Sequence, residues 1–307
     1  MIEATPPAQI GDSTAILRGR IFVLLSGAGM SLGGLFIRSI QEAGEWQILF
    51  WRSLGIVAAL LIYITVRGQG RVIRTFRAAG AKSVVAGLCL ATGFTCFVFS
   101  MTHTTVANTL FMLSAAPFLT AVFSRVLLGE DVTRGTWLAM LGAAAGIAIM
   151  VGEGLATGDL FGNLMALAAA AGFAGFSIAL RSGRAVDMMP ATCLAGLFSA
   201  LGSAAIIAGM GSGFGVPVTD AALCVTYGVV AIGISLIVYT LGSRHVSAAE
   251  LTLLSLSEVV LGPIWVWLAF AETPSGLTLL GGSILLASIV SRAATGIRRR
   301  RPPIGVV

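Results

Sequence analysis

Residues 46–82 read WQILFWRSLGIVAALLIYITVRGQGRVIRTFRAAGAK, an apolar run broken by one arginine and followed by five basic residues within sixteen positions. A helix needs about 20 apolar residues to cross the hydrocarbon core of a bilayer, and 46–66 meets that length. Arg67, Arg71, Arg74, Arg77 and Lys82 then form the kind of Lys/Arg-rich loop that stays cytoplasmic. Working outward, nine further runs of similar character lie at 20–36, 82–101, 105–127, 135–151, 160–180, 190–210, 220–241, 247–270 and 277–291.

Threading ten spans places seventeen of the 19 Lys and Arg at one end of the bundle: Arg18, Arg20, the 67–82 cluster, Arg125, Arg134, Arg181, Arg184, Arg244, Arg292 and Arg298 to Arg301. Arg38 alone marks the opposite end, and Arg52 lies inside the second span. Both termini are therefore expected in the cytoplasm, which requires an even number of crossings.

With 57% hydrophobic residues, 10% charged residues and a mean hydropathy of +0.96, the chain has too little polar surface to cover a soluble globule. The net charge of +6 is accounted for by loops and by the Arg298–Arg301 tail, so no nucleic-acid partner is expected. Cys89, Cys96, Cys193 and Cys224 show no CxxC or His-paired spacing and read as small apolar residues; no metal or cofactor is expected. No small-residue cleavage site stands clearly after the first run, which reads as a crossing and not as a signal peptide.

A slide of 142 residues lays 105–130 (TVANTLFMLSAAPFLTAVFSRVLLGE) over 247–272 (SAAELTLLSLSEVVLGPIWVWLAFAE). Ala107 then meets Ala249, Glu130 meets Glu272, and the two histidines, His103 and His245, coincide. A slide of 143 lays Arg38 over Arg181 and Gly29 over Gly172. Five crossings per half is odd, so the second copy enters from the other side. The fold class is all-α integral membrane, with ten transmembrane helices as two inverted five-helix repeats, a recurring plan of secondary transporters.

The run from Ala107 to Glu130, with Pro117 in mid-helix and Leu128-Gly129-Glu130 at its end, resembles the fourth helix of the EamA domain in the drug/metabolite transporter superfamily. Glu250 through Glu258, Gly262 and Pro263 to Glu272 resembles that family's ninth helix, and Arg52 stands where the family usually keeps an arginine in helix two. Departures are Ser31-Leu32-Gly33-Gly34, where many members carry Trp-Gly, and Pro263, placed later than usual after Glu258. The resemblance implies a cytoplasmic segment at 1–18, EamA repeats at 19–152 and 158–294, and a basic cytoplasmic tail at 295–307. It also implies a multi-pass protein of the bacterial inner membrane that exports or exchanges small metabolites.

Ionisable groups inside a bilayer cost roughly 2.5–3.5 kcal/mol on insertion scales unless paired or hydrated. Glu258 lies close to the midplane of the ninth span, and Thr252, Ser255 and Glu258 share a helix face with Gly262 nearby. Glu258 is expected either to meet an amine or cationic group of the solute, or a coupling proton, or else to be a carboxylate held structurally by Arg52 or by hydroxyls. Arg52 is expected to snorkel, to form a structural ion pair or to contact the solute, and Arg38 to anchor at the interface or attract anions at the mouth. Ser247-Ala248-Ala249-Glu250 fits a helix capping box.

Ser31, Phe94, Thr95, Phe97, Asn108, Met112, Phe173, Phe176, Ser177, Ser235 and Tyr239 are candidate pocket residues, each with helix packing as its competing role. Gly29-x-x-x-Gly33 and Gly142-x-x-x-Gly146 fit close helix approach within the chain, so a monomer or weak dimer is expected. Trp46, Trp51, Trp265, Trp267 and Trp137 read as interface anchors. The expected function is a secondary active exporter of amino acids or related small metabolites working by alternating access; the alternative is a multidrug or organic-cation exporter. An intramembrane enzyme would want a Ser/His, paired-Asp or His-rich constellation inside the bilayer, and a channel would show no saturable flux.

Overall fold

A computed structural model describes residues 10–68, 70–183, 189–243, 245–246 and 248–299, without the side chains of 10–13, 180–183, 248, 249, 252 and 295–299. The described residues form no strand and contain ten helices long and apolar enough to cross a bilayer. The first span runs Ile10–Ser31 and Gly33–Ser39, the second Glu45–Arg67, the third Val72–His103, and the fourth Val106–Leu113 and Ala116–Leu128. The fifth is Arg134–Thr157, the sixth Leu160–Gly183 and the seventh Met189–Met210. The eighth combines Val218–Thr226, a π-helical Tyr227–Ile234 and Ser235–Ser243; the ninth is Ala248–Phe270 and the tenth Gly276–Arg299. Below, the end carrying Arg67–Arg77 is the basic end, and the other is the far end.

The main contacts map onto themselves when the halves are exchanged. The first span packs on the eighth and ninth, as the sixth packs on the third and fourth. The second packs on the seventh and eighth, as the seventh packs on the second and third, while the fifth and tenth pair with each other. Close crossings repeat the rule at residue level: Gly172 abuts Gly93, and Gly29 abuts Ser235, two pairs related by the same 142–143 slide. Gly33 lies against Tyr227, Gly142 against Ser288 and Gly146 against Gly281, so both small-residue motifs serve contacts within the chain.

Three spans are irregular near their middles. In the fourth, Pro117 has no N–H to give the Leu113 carbonyl, and the chain tightens into a turn where Ser114 N reaches Phe111 O and Ala115 N reaches Met112 O, both at 3.1 Å. The first span turns at Leu32, whose N–H bonds Gly29 O at 3.3 Å. In the eighth, the π segment widens the helix by one residue, and Ser235 Oγ donates to Val230 O at 3.0 Å.

Candidate functional site

Arg52 is fully buried and carries a positive charge, yet it neither snorkels nor pairs with a carboxylate among the described residues. Its Nη2 donates to Phe94 O at 3.2 Å, its Nη1 sits 3.5 Å from the Tyr227 hydroxyl, and its Nε has no partner. The guanidinium lies over the rings of Phe94 (5.2 Å) and Tyr227 (5.4 Å), whose π faces compensate part of the charge. The expected snorkelling or ion pairing is thus corrected. The guanidinium points inward because the second span crosses the eighth at glycines, with Gly55 against Val225 O and Gly228 against Arg52 O.

Tyr227 links Arg52 to the other elements of the centre. Its ring stacks on Phe36 at 5.7 Å, just past the Leu32 turn. Glu258 is half-buried and has no hydrogen bond or ion pair among the described residues, so Arg52 does not hold it. Four residues on, Gly262 meets Leu110 and Ser31 O, which directs this face of the ninth span into the bundle. Phe173 meets Phe94 edge-on at 6.2 Å, and Phe97 and Phe176 are buried in the apolar clusters on either side.

Other candidates are engaged locally. Ser31 Oγ donates to Ala28 O (2.7 Å) and accepts the Trp265 indole N–H (2.9 Å), so Trp265 ties the ninth span to the first instead of anchoring at an interface. Tyr239 is half-buried, Ser255 Oγ donates to Leu251 O of its own helix at 2.8 Å, and Ser177 donates to Phe173 O. Thr95 bonds its own helix at Ala91 O. The Thr252 side chain, Ser247, Arg184, Arg244 and Arg300–Arg301 lie outside the described residues, so the capping box is not seen whole. Glu250 itself pairs with Arg20 at 2.6 Å.

The far end is closed by a latch. Arg38 Nε meets Glu272 at 2.7 Å, while Arg38 Nη1 and Nη2 donate to Met101 O and Thr104 O, each at 2.8 Å. The second Glu272 oxygen accepts the Val106 N–H at 2.7 Å, capping the fourth span's start. Arg38 is therefore a tie between four spans and not a lipid-facing anchor. Asn108 belongs to the same end: it donates to Thr104 Oγ1 (3.1 Å) and accepts from Thr278 (2.7 Å), with Glu153 Oε2 3.1 Å from that hydroxyl. Asn108 is buried there, and Met112 is buried in the same apolar cluster as Tyr227. Asp220, which the sequence reading passed over, accepts the N–H groups of Glu42 (2.8 Å) and Ala43 (3.0 Å) and staples the first connection to the eighth span.

Ten membrane-length helices define a multi-pass membrane protein, and comparison with known proteins points to a transporter. Residues 17–152 match the EamA-like transporter family, consistent with an EamA-domain transporter of the drug/metabolite transporter superfamily. It is 26% identical over 251 residues to the pseudopaline exporter CntI of Pseudomonas aeruginosa strain UCBPP-PA14, covering 81% of this chain and 86% of that one. The uncharacterized transporter YyaM of Bacillus subtilis is 23% identical over 44% of this chain and 45% of its own. A crystal structure at 20% identity superimposes with a TM-score of 0.63 over 94% of this chain and 99% of its own, a likeness of fold.

Proposed function

We propose that this protein exports amino acids or related small metabolites across the bacterial inner membrane by alternating access, with both termini cytoplasmic. The units 19–152 and 158–294 rock about a mid-span site at Glu258, Tyr227 and Arg52. The carrying observation is the asymmetry of closure around that site. At the far end the Arg38–Glu272 latch joins four spans, and the first half of the fourth span packs on the ninth and tenth. Toward the basic end the Arg20–Glu250 pair joins two spans, the first and the ninth, and the second half of the fourth span packs on the sixth, as the first half also does. The likeness to a pseudopaline exporter supports outward movement of a metabolite. Energy comes from the solute gradient, exchange or protons; one charge moved through 100 mV supplies about 2.3 kcal/mol.

Counterflow into proteoliposomes preloaded with one unlabelled solute at a time tests this, using labelled amino acids, purines and a quaternary ammonium drug. Accumulation of amino acids above protein-free vesicles is expected; accumulation of none of the panel refutes the reading. An organic-cation exporter is the second reading, favoured by the unpaired, half-buried Glu258 carboxylate. Glu258→Gln is expected to lower the counterflow rate at least about tenfold or to abolish its pH dependence, the loss of about 1.4 kcal/mol of binding or coupling. Unchanged rate and pH profile in folded protein would assign Glu258 to helix packing.

A further inference from the structure

Three arginines between the second and third spans pair with nothing among the described residues. Arg67, Arg71, Arg74, Arg77 and Lys82 follow one another there, and no Asp or Glu stands anywhere between Glu45 and Glu130. Arg67 folds back on its own span, with Nη1 donating to the Tyr63 hydroxyl at 2.6 Å. Arg71, Arg74 and Arg77 are exposed, and their side chains have no hydrogen bond or ion pair among the described residues.

The segment that carries them has two faces. Val72, Thr75, Phe76 and Ala79 are half-buried, and Val72 and Phe76 pack on the apolar cluster that holds Leu60, Ile64 and Ala86. At 3.6 residues per turn, Arg71, Arg74 and Arg77 fall within about 120° on the opposite side. Ile73, 71% exposed, lies on the flank between the two faces. Gly80, with a φ of 70°, ends the segment in a break before the apolar run of the third span. Like charges three residues apart repel on a helix, so this arc fits a surface that supplies the missing negative charge.

We propose that segment 71–80 is a docking surface for acidic phospholipid headgroups. The phosphodiester of a lipid such as phosphatidylglycerol sits on the arc of Arg71, Arg74 and Arg77, and Ile73 enters the boundary between headgroups and acyl chains. Position and composition choose a lipid over a soluble polyanion. The helical turns begin at Val72, soon after the second span ends at Arg67, and lead into the third span, so the arginines are tethered at headgroup depth. An exposed isoleucine beside basic residues is covered by a bilayer boundary and left bare by water. Basic clusters that flank a membrane helix collect acidic lipids by the same electrostatics. A guanidinium, moreover, presents parallel N–H donors that match two phosphate oxygens at once. The surface implies no direction of transport, so it stands or falls apart from the reading above.

The test titrates the purified full-length protein, in a neutral detergent, with phosphatidylglycerol or phosphatidylcholine of matched acyl chains and counts bound lipid by native mass spectrometry. Wild type is expected to bind phosphatidylglycerol at least about tenfold more tightly than phosphatidylcholine. The triple variant Arg71→Gln, Arg74→Gln, Arg77→Gln is expected to lose most of that preference. The control Arg18→Gln, Arg134→Gln removes two exposed arginines of the same end outside the segment and is expected to keep it. Equal binding of the two lipids by wild type overturns the proposal, and so does an equal loss in the control, which would mean attraction to the whole basic end. Displacement of phosphatidylglycerol by millimolar inorganic phosphate or by a short acidic peptide also overturns it, making the segment a site for soluble anions. Melting temperatures in phosphatidylcholine, expected to be the same for wild type and variants, separate loss of lipid from loss of fold. Should the triple variant not fold, Arg74→Gln alone is expected to lower the preference, and an unchanged preference there overturns the proposal.

Discussion

Glu272→Ala is expected to open the far end of the bundle. The carboxylate holds Arg38 with one oxygen and the Val106 N–H with the other, and Arg38 in turn holds the last carbonyls of the third span. Charge-assisted hydrogen bonds of this kind contribute about 1.5–3 kcal/mol each, and removing one partner leaves the others unsatisfied. The first, third, fourth and ninth spans thus lose their common tie at one stroke. A cysteine at Leu110, which is 2% exposed just below the latch, reports the change once the four native cysteines are replaced. A membrane-impermeant maleimide, applied separately to right-side-out and inverted vesicles, should label Leu110→Cys several-fold faster from one side when Glu272→Ala is added. Unaltered labelling from both sides would show that the pair only holds the fold together.

Gly228→Ala is expected to cost more folding stability than any comparable glycine change away from the crossings. A methyl group there would run into the Arg52 carbonyl oxygen, and the reciprocal change at Gly55 into that of Val225. Neither obstacle is the end of a flexible side chain, so the second and eighth spans must separate. Overpacking costs about 1–3 kcal/mol where side chains can adjust, and here backbone must move. Gly202→Ala is the control, since nothing lies within 4 Å of its added methyl; it is expected to be neutral or to gain up to about 1 kcal/mol from helix propensity. Melting temperatures of the two purified variants decide the matter, and parity between them would mean that the crossing yields easily.

Much of this architecture is legible in the chain. Apolar runs of membrane length located the ten spans because that periodicity is set by bilayer thickness, independent of neighbours. At the third span Gly80, with a φ of 70°, breaks the helix between a short basic segment that starts at Val72 and the apolar run that follows, close to the expected start at 82. Pro117 announced the break in the fourth span, but no residue announces the π segment of the eighth, which arises from packing against the second. Depth was less legible: Asn108, read as a pocket residue, stands in the first turn of its span. Pairing was not legible. Arg38 finds Glu272, 234 residues away, whereas Arg52 and Glu258, the two charges that looked made for each other, stay apart. Trp265 resembled an interface anchor by position, and only the approach of Ser31 shows its inward role.

The matched crossings, Gly172 on Gly93 and Gly29 on Ser235, differ by one hydroxymethyl group. If the halves were identical, exchanging their roles would turn an inward-facing molecule into an outward-facing one of equal energy, and an unloaded carrier would spend half its time in each. Any resting preference must therefore originate at positions where the copies have diverged. A difference of about 1.4 kcal/mol suffices for a tenfold bias between the orientations. Ser235, standing where its twin has glycine, is one such position, so in the proposed cycle the small departures of one half from the other would set the direction in which the empty protein waits.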